Sequence, residues 1–175
     1  DTRGLAENYP QWLATQVSAK AFQPELPDTA DAFHLVFVDG QFAPELSVQQ
    51  LPDFVFAGNL ADLATQFPRA FETTFGKLVA QSGFVNLNTA FASDATGIIL
   101  PDNTELDAPV YLSFFTTTPE LTTQPRLLID LGKNSRATVI EHYAGSTPAI
   151  VNTVSEARCA AGSHLTWYRL QAESV

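Results

Sequence analysis

The segment Ser135–Tyr143, SRATVIEHY, falls on Ser163–Leu170, SHLTWYRL, when moved forward by about 28 residues. Ser135 then meets Ser163, Thr138 meets Thr166 and Val139 meets Trp167. Moved back by the same interval of about 28, it sets Thr138, Ile140 and His142 over Val110, Leu112 and Phe114. Identities are few, but the rhythm of strand, short turn and strand persists. A repeat of this length is one supersecondary unit that cannot bury its apolar face alone, so neighbouring units must stack. A β-sandwich and a β-solenoid both give this rhythm. The solenoid fits the spacing better. After Asp39-Gly40 no Asn-Gly or Asp-Gly dipeptide remains to close tight hairpins.

From Phe84 onward no convincing 3.6-residue period is present. Strands are predicted instead at 84–91, 96–100, 109–116, 126–131, 137–143, 150–157 and 164–170. ASDATG, PDNTELDAP, GKNSR, AGSTP and CAAGS separate them, and these are turn sequences. The last strand runs out without a polar cap, which leaves a pairing edge and predicts self-association through the open end. Before residue 84 the pattern is helical and mixed. A helix is predicted over 10–22, with Pro10 in its first turn and Trp12, Leu13 and Val17 on one face. Residues 23–32 read as a loop. Phe33–Val38 reads as a strand, and Asp39-Gly40 makes a hairpin near 33–42. Asn59 caps a helix with Leu60, Leu63, Ala64 and Phe67 on one face. Pro68 opens a second helix whose stripe runs through Phe71, Phe75, Leu78 and Val79 to Gly83. The expected division is therefore 1–83, helical and mixed, and 84–175, the first coils of a β core that is cut short at its C-terminus.

A chain of 175 residues with 45% hydrophobic and 16% charged residues has the makings of one packed domain and is not a disordered tail. Its net charge of −10 and its nine scattered basic residues disfavour nucleic acid and anionic membrane as partners. No apolar run reaches membrane-spanning length. Met is absent and the chain begins at Asp1, which predicts a processed or shortened piece of a longer protein. The single Cys159 and the absence of an N-x-S/T sequon suit a reducing cytosol.

No catalytic or cofactor-binding residue stands out. His34, His142, His164 and Cys159 have no metal-ligand spacing. Cys159 and His164, five residues apart across a turn, are the weak metal candidates. The competing reading makes Cys159 a small buried hydrophobe and His164 a strand-edge residue. Glu141 and His142 are adjacent on a strand, so they point to opposite faces and form no dyad. FGKLV and LGKNS lack the rest of a phosphate loop. Asp94, Asp102, Glu105 and Asp107 read as turn-makers rather than as a calcium loop or a glycosidase pair. Arg126, Arg136, Arg158 and Arg169 are expected to pair locally with Asp130, Glu141, Glu156 or Glu173 and to contribute little.

Four stretches in order carry a resemblance: HLVFVDGQFAPELS (34–47), FVNLNTAFASDATGIILPDNTELDAPVYL (84–112), LLIDLGKNSRATVIEHYAG (127–145) and VNTVSEARCAAGSHLTWYRLQAES (151–174). They resemble the SufB/SufD family of iron–sulfur cluster assembly proteins, and its SufD branch in particular. One departure is the Ala95-Thr96 that precedes Gly97, where the family has Gly soon after its Asp. The resemblance implies a mainly β fold, a right-handed parallel β-helix with N-terminal helices. It implies a non-catalytic, cytoplasmic scaffold subunit that pairs with SufB and recruits the ATPase SufC. The cluster would be handled by the parent complex and no cofactor held by this stretch. The family's functional Cys and His lie in later coils and its SufC-binding helices at the C-terminus, so no site residue carries over. The alternative is a β-helix that binds or cleaves polysaccharide. It asks for Asp residues on adjacent coils and aromatic platforms, whereas these acids share one turn region and Trp167 stands alone. An iron-binding protein in its own right asks for more Cys and His ligands than these.

Overall fold

The computed structural model describes residues 31–48 and 50–173. The predicted helix over 10–22 and most of the predicted loop over 23–32 lie outside the described residues. β1 (Phe33–Val38) returns as β2 (Gln41–Phe42) through Asp39 and Gly40, at φ 51° and 83°. Two consecutive left-handed residues are what a two-residue hairpin turn requires, and Asp-Gly supplies them cheaply. β3 (Val55–Asn59) leads into α1 (Leu60–Gln66), where the Asn59 side chain accepts from the Ala61 amide at 2.8 Å. Pro68 opens α2 (Pro68–Thr74). Phe71 and Phe75 stack at 4.5 Å, and with Leu63 they cover Ala95 and Leu128 of the sheet beneath.

The second helix is shorter than its apolar stripe. It stops at Thr74, Gly76 takes φ 68°, and Leu78 is exposed. Gly83 does not end it but opens α3 (Gly83–Phe91), capped by Ser82, whose hydroxyl accepts from the Val85 amide. The predicted strand over 84–91 is therefore a helix. The alternation of Val85, Asn86, Leu87 and Asn88 imitates a strand because the fully buried member is polar. Asn88 is 0% exposed, and its amide donates to the carbonyls of Pro125 and Asn152.

Eight strands follow: β4 (Asp94–Leu100), β5 (Val110–Thr116), β6 (Leu121–Thr123), β7 (Arg126–Leu131), β8 (Arg136–Gly145), β9 (Ala149–Val151), β10 (Val154–Cys159) and β11 (His164–Glu173). The sequence pattern missed the short β6. It also fused β9 and β10 across Asn152-Thr153 into one predicted strand. Three sheets result, in the orders β11-β8-β5-β1-β2, β10-β7-β4-β3 and β6-β9. β11 lies parallel to β8 with Thr166 opposite Thr138 and Trp167 opposite Val139, as the repeat predicts. The earlier copy is offset by one more residue: Val110 pairs with Val139 and Phe114 with Tyr143. A one-residue slip exchanges the two faces of a strand, so that alignment had set inward residues against outward ones.

The expected right-handed parallel β-helix is corrected by these sheets. β2 runs antiparallel to β1 and β3 antiparallel to β4, and the stretch expected to begin the first coil is α3. The strands make three separate sheets of parallel and antiparallel pairs with a few short helices, not a closed solenoid. The physical cause lies in local turn chemistry. Asp39-Gly40 folds β2 back on β1, and β3 approaches β4 in reverse through the Asn59-capped helix. The main core fills the space between sheets with Leu35, Leu112, Ile129, Leu131 and Val139, each 0% exposed. Phe37, Phe114 and Tyr143 stack across β1, β5 and β8 with ring centroids 5.0 and 4.8 Å apart.

Candidate functional site

The parallel register places residues from successive repeats side by side, and the chain uses this to pair charges. Arg126 on β7 meets Glu156 on β10, and both side chains are 0% exposed. Arg126 also donates to Asn88 Oδ1 at 3.0 Å, and its guanidinium lies 4.3 Å over the Phe75 ring. Glu156 accepts three further hydrogen bonds, from the amides of Gly76, Lys77 and Leu78 at 2.8–3.0 Å. Burial lowers the Arg126 pKa, and the charge and hydrogen bond of Glu156 oppose that without cancelling it. A buried pair is tolerated only when its remaining donors and acceptors are satisfied in this way.

A second cluster lies between β8 and β11. Glu141, 0% exposed, accepts from the Tyr143 hydroxyl, from Trp167 Nε1 at 2.6 Å and from Arg169 Nη2 at 3.0 Å. Burial, and then the charge of Glu141, push the Tyr143 pKa well above its ordinary value. Burial alone would lower Arg169, but its hydrogen bond to Glu141 and that carboxylate's charge outweigh it and raise the pKa. His142 faces the other way, edge-on to Tyr111 at 6.2 Å, so the adjacent Glu141 and His142 form no dyad. On that outer face His34 bonds Ser113 at 2.8 Å.

The weak metal candidates sit at surface positions. Cys159 ends β10 and His164 begins β11, joined by the turn 160–163, and both are exposed. The expected burial of Cys159 fails because β10 is the outermost strand of its sheet and leaves that side open. Among the described residues no group of three or more His, Cys, Asp or Glu is placed to hold a metal ion. The acids of the turn region do turn work. Asp102 accepts from the Lys133 amide at 2.7 Å, Asp94 accepts from the Phe42 amide at 2.7 Å, and Glu105 pairs with Arg136 at 3.5 Å.

The four arginines do pair locally. Arg158 holds Asp130 at 2.5 Å, while Arg136 takes Glu105 rather than a partner within the strands. The expectation that all contribute little is corrected for Arg126 and Arg169, whose carboxylate partners are fully buried. Sequence reasoning missed Asp39, whose carboxylate accepts from the amides and hydroxyls of Thr117 and Thr118 at 2.7–3.1 Å. The threonines Thr117 and Thr118 offered no local signal, since the two segments lie 78 residues apart.

One edge of each sheet is finished differently from the other. β2 and β3 close the two larger sheets at one end with antiparallel strands, whereas β9, β10 and β11 are outermost at the other. β11 is ten residues long and exposes Tyr168 at 56% and Leu170 at 49%. Among the described residues its outer backbone groups face no further strand.

Parallel strands tied to the next repeat by buried charge pairs define a mainly β protein built from stacked repeats. The family model described as SufBD protein N-terminal region matches residues 8–112, and that described as SUF system FeS cluster assembly, SufBD core domain, matches 114–175. The chain belongs to this SufBD family of iron–sulfur cluster assembly proteins. It is 33% identical over 164 residues to an iron–sulfur cluster assembly SufBD family protein of Synechocystis sp., a match covering 85% of this chain and 36% of that protein. The chain thus spans little more than a third of that relative's length. Among the described residues no helix is long and apolar enough to cross a membrane.

Proposed function

We propose that the protein is a non-catalytic, SufD-type scaffold subunit of the SUF machinery that works with SufB and the ATPase SufC. The observation that carries this reading is the pair of family regions matched in order along residues 8–112 and 114–175. The buried charges agree with it: Arg126, Glu156, Glu141 and Arg169 are all engaged within the fold. In this reading the iron–sulfur cluster is cargo of the parent complex, ATP hydrolysis belongs to SufC, and the protein works in the cytosol. The edge formed by β9, β10 and β11 is the surface through which the chain associates with itself. The polysaccharide reading gains nothing from the turn acids, which are engaged by Lys133, Phe42 and Arg136.

The test is a pull-down of the full-length parent with tagged SufB and SufC. Retention by both is expected, and failure to bind either refutes the reading. For the edge, sedimentation of the isolated chain should show mass rising with concentration. A monomer at every concentration refutes self-association.

A further inference from the structure

The parallel strands β4, β7 and β10 all end on one side of their sheet, and α2 begins against those ends. Between them lies a cleft of about 610 Å³, lined among others by Pro68, Arg69, Pro101, Asp102, Lys133 and Arg158. This volume falls within the range of small-molecule sites, roughly 300–1,000 Å³. The carboxyl ends of parallel strands are also where open sheets flanked by helices place their ligands.

The charge of the cleft runs against that of the chain. The net charge is −10 and there are only nine Lys and Arg residues, yet three of them line this one depression, against the two carboxylates of Asp102 and Asp130. Arg158 is held by Asp130 at 2.5 Å. Arg69, on α2, and Lys133, in the turn after β7, both line the cleft and have no acidic partner among the described residues. Every other described arginine is in an ion pair. The floor is preformed. The Lys133 amide donates to Asp102 at 2.7 Å and its carbonyl accepts from Asn103 at 2.7 Å. A Cβ on Gly132 would meet the Asp102 nitrogen at 2.5 Å, so the turns after β4 and β7 pack too closely to admit any other residue there.

We propose that this cleft binds a small organic anion whose carboxylate or phosphate lies between Arg69 and Lys133, with Arg158 completing the positive wall. Hydrogen bonds from both groups to an oxyanion are charge-assisted, and the planar Arg69 fork adds geometric selectivity that the Lys133 ammonium does not. Nothing in this site depends on the SUF reading, so it stands or falls separately.

The test titrates citrate and pyrophosphate into the full-length protein by calorimetry. Saturable one-site binding of at least one probe is expected, and the tighter of the two identifies carboxylate or phosphate as the preferred group. The Arg69→Gln/Lys133→Gln double variant should weaken it by about tenfold or more. Both side chains are exposed, so the variant should fold, which circular dichroism checks. Lys77→Gln removes an equal kind of charge outside the cleft and should change binding less than twofold or so. Absence of saturable binding by both probes overturns the proposal. Equal weakening in Lys77→Gln and the double variant also overturns it, because binding would then follow overall charge.

Discussion

Glu156→Ala tests how the helical part is fastened to the sheets. The carboxylate is 1% exposed and meets the fully buried Arg126, so its removal strands a guanidinium away from water. Deleting one partner of such a pair costs about 3–5 kcal/mol. The amides of Gly76, Lys77 and Leu78 lose their acceptor as well. Each would cost about 1–3 kcal/mol if it stayed buried. Lys77 and Leu78 are exposed residues, however, so that loop can turn to solvent and most of the second loss is relieved. The net expectation is destabilisation of about 4 kcal/mol, dominated by Arg126. Glu156→Gln keeps an oxygen for the amides and loses the charge, and should cost about half as much. Arg126→Met combined with Glu156→Leu should cost less than the sum of the two single changes, since a buried pair replaced by apolar groups is close to neutral. Urea unfolding of Glu156→Ala, Glu156→Gln, the double variant and its two single changes gives the energies, and amide exchange reports on residues 76–78, which should lose protection in Glu156→Ala. A loss below about 1 kcal/mol, or unchanged exchange at these amides, refutes the reasoning.

Two further outcomes follow from single residues. In Gly97→Ala the new Cβ would sit 2.5 Å from Leu63 Cδ1, and Leu63 is 1% exposed, so its side chain must repack or α1 must shift. A cost of about 1–3 kcal/mol is expected, read as a lowered Tm, and an unchanged Tm contradicts the close approach. His34 is held below its ordinary value of 6.5 by burial first and by the neighbouring His142 second. Its neutral form is the one the fold prefers, so its stabilisation is present above pH 6.5 and is lost as pH falls through the lowered folded pKa. His34→Asn should flatten that acid slope in urea midpoints taken between about pH 8 and 5, and an identical slope refutes it. Tyr111 and His142 are the titratable groups it faces on this sheet.

The repeat was legible because parallel pairing leaves its offset in the sequence: Thr138 and Thr166 do lie side by side. The Asp39-Gly40 hairpin and the Asn59 cap were legible because each is decided within a few residues. The closing strands were not. β3 carries no mark that it will run antiparallel to β4, which lies beyond three helices. Helix α3 was misread because its buried face turns on Asn88, whose partners Pro125, Arg126 and Asn152 arrive dozens of residues later. The charge clusters were half legible. Arg169 and Glu141 were foreseeable as partners, but burial is set by the stacking of strands, so the weight of these pairs was not. The cleft beside Arg69 and Lys133 was invisible, since its walls come from four separate segments.

Glu156 follows Gly76 by 80 residues, which gives their contact a consequence for the chain as it is made. At a synthesis rate of about 5–20 residues per second, the loop amides wait roughly 4–16 s for their carboxylate. α1 and α2 are complete by then, and Phe75 can already pack on Leu128 of β7, but the amides of residues 76–78 lack their acceptor until β10 emerges. For those seconds the loop 76–78 is the least protected part of a nascent chain, and the arrival of Glu156 is what closes it.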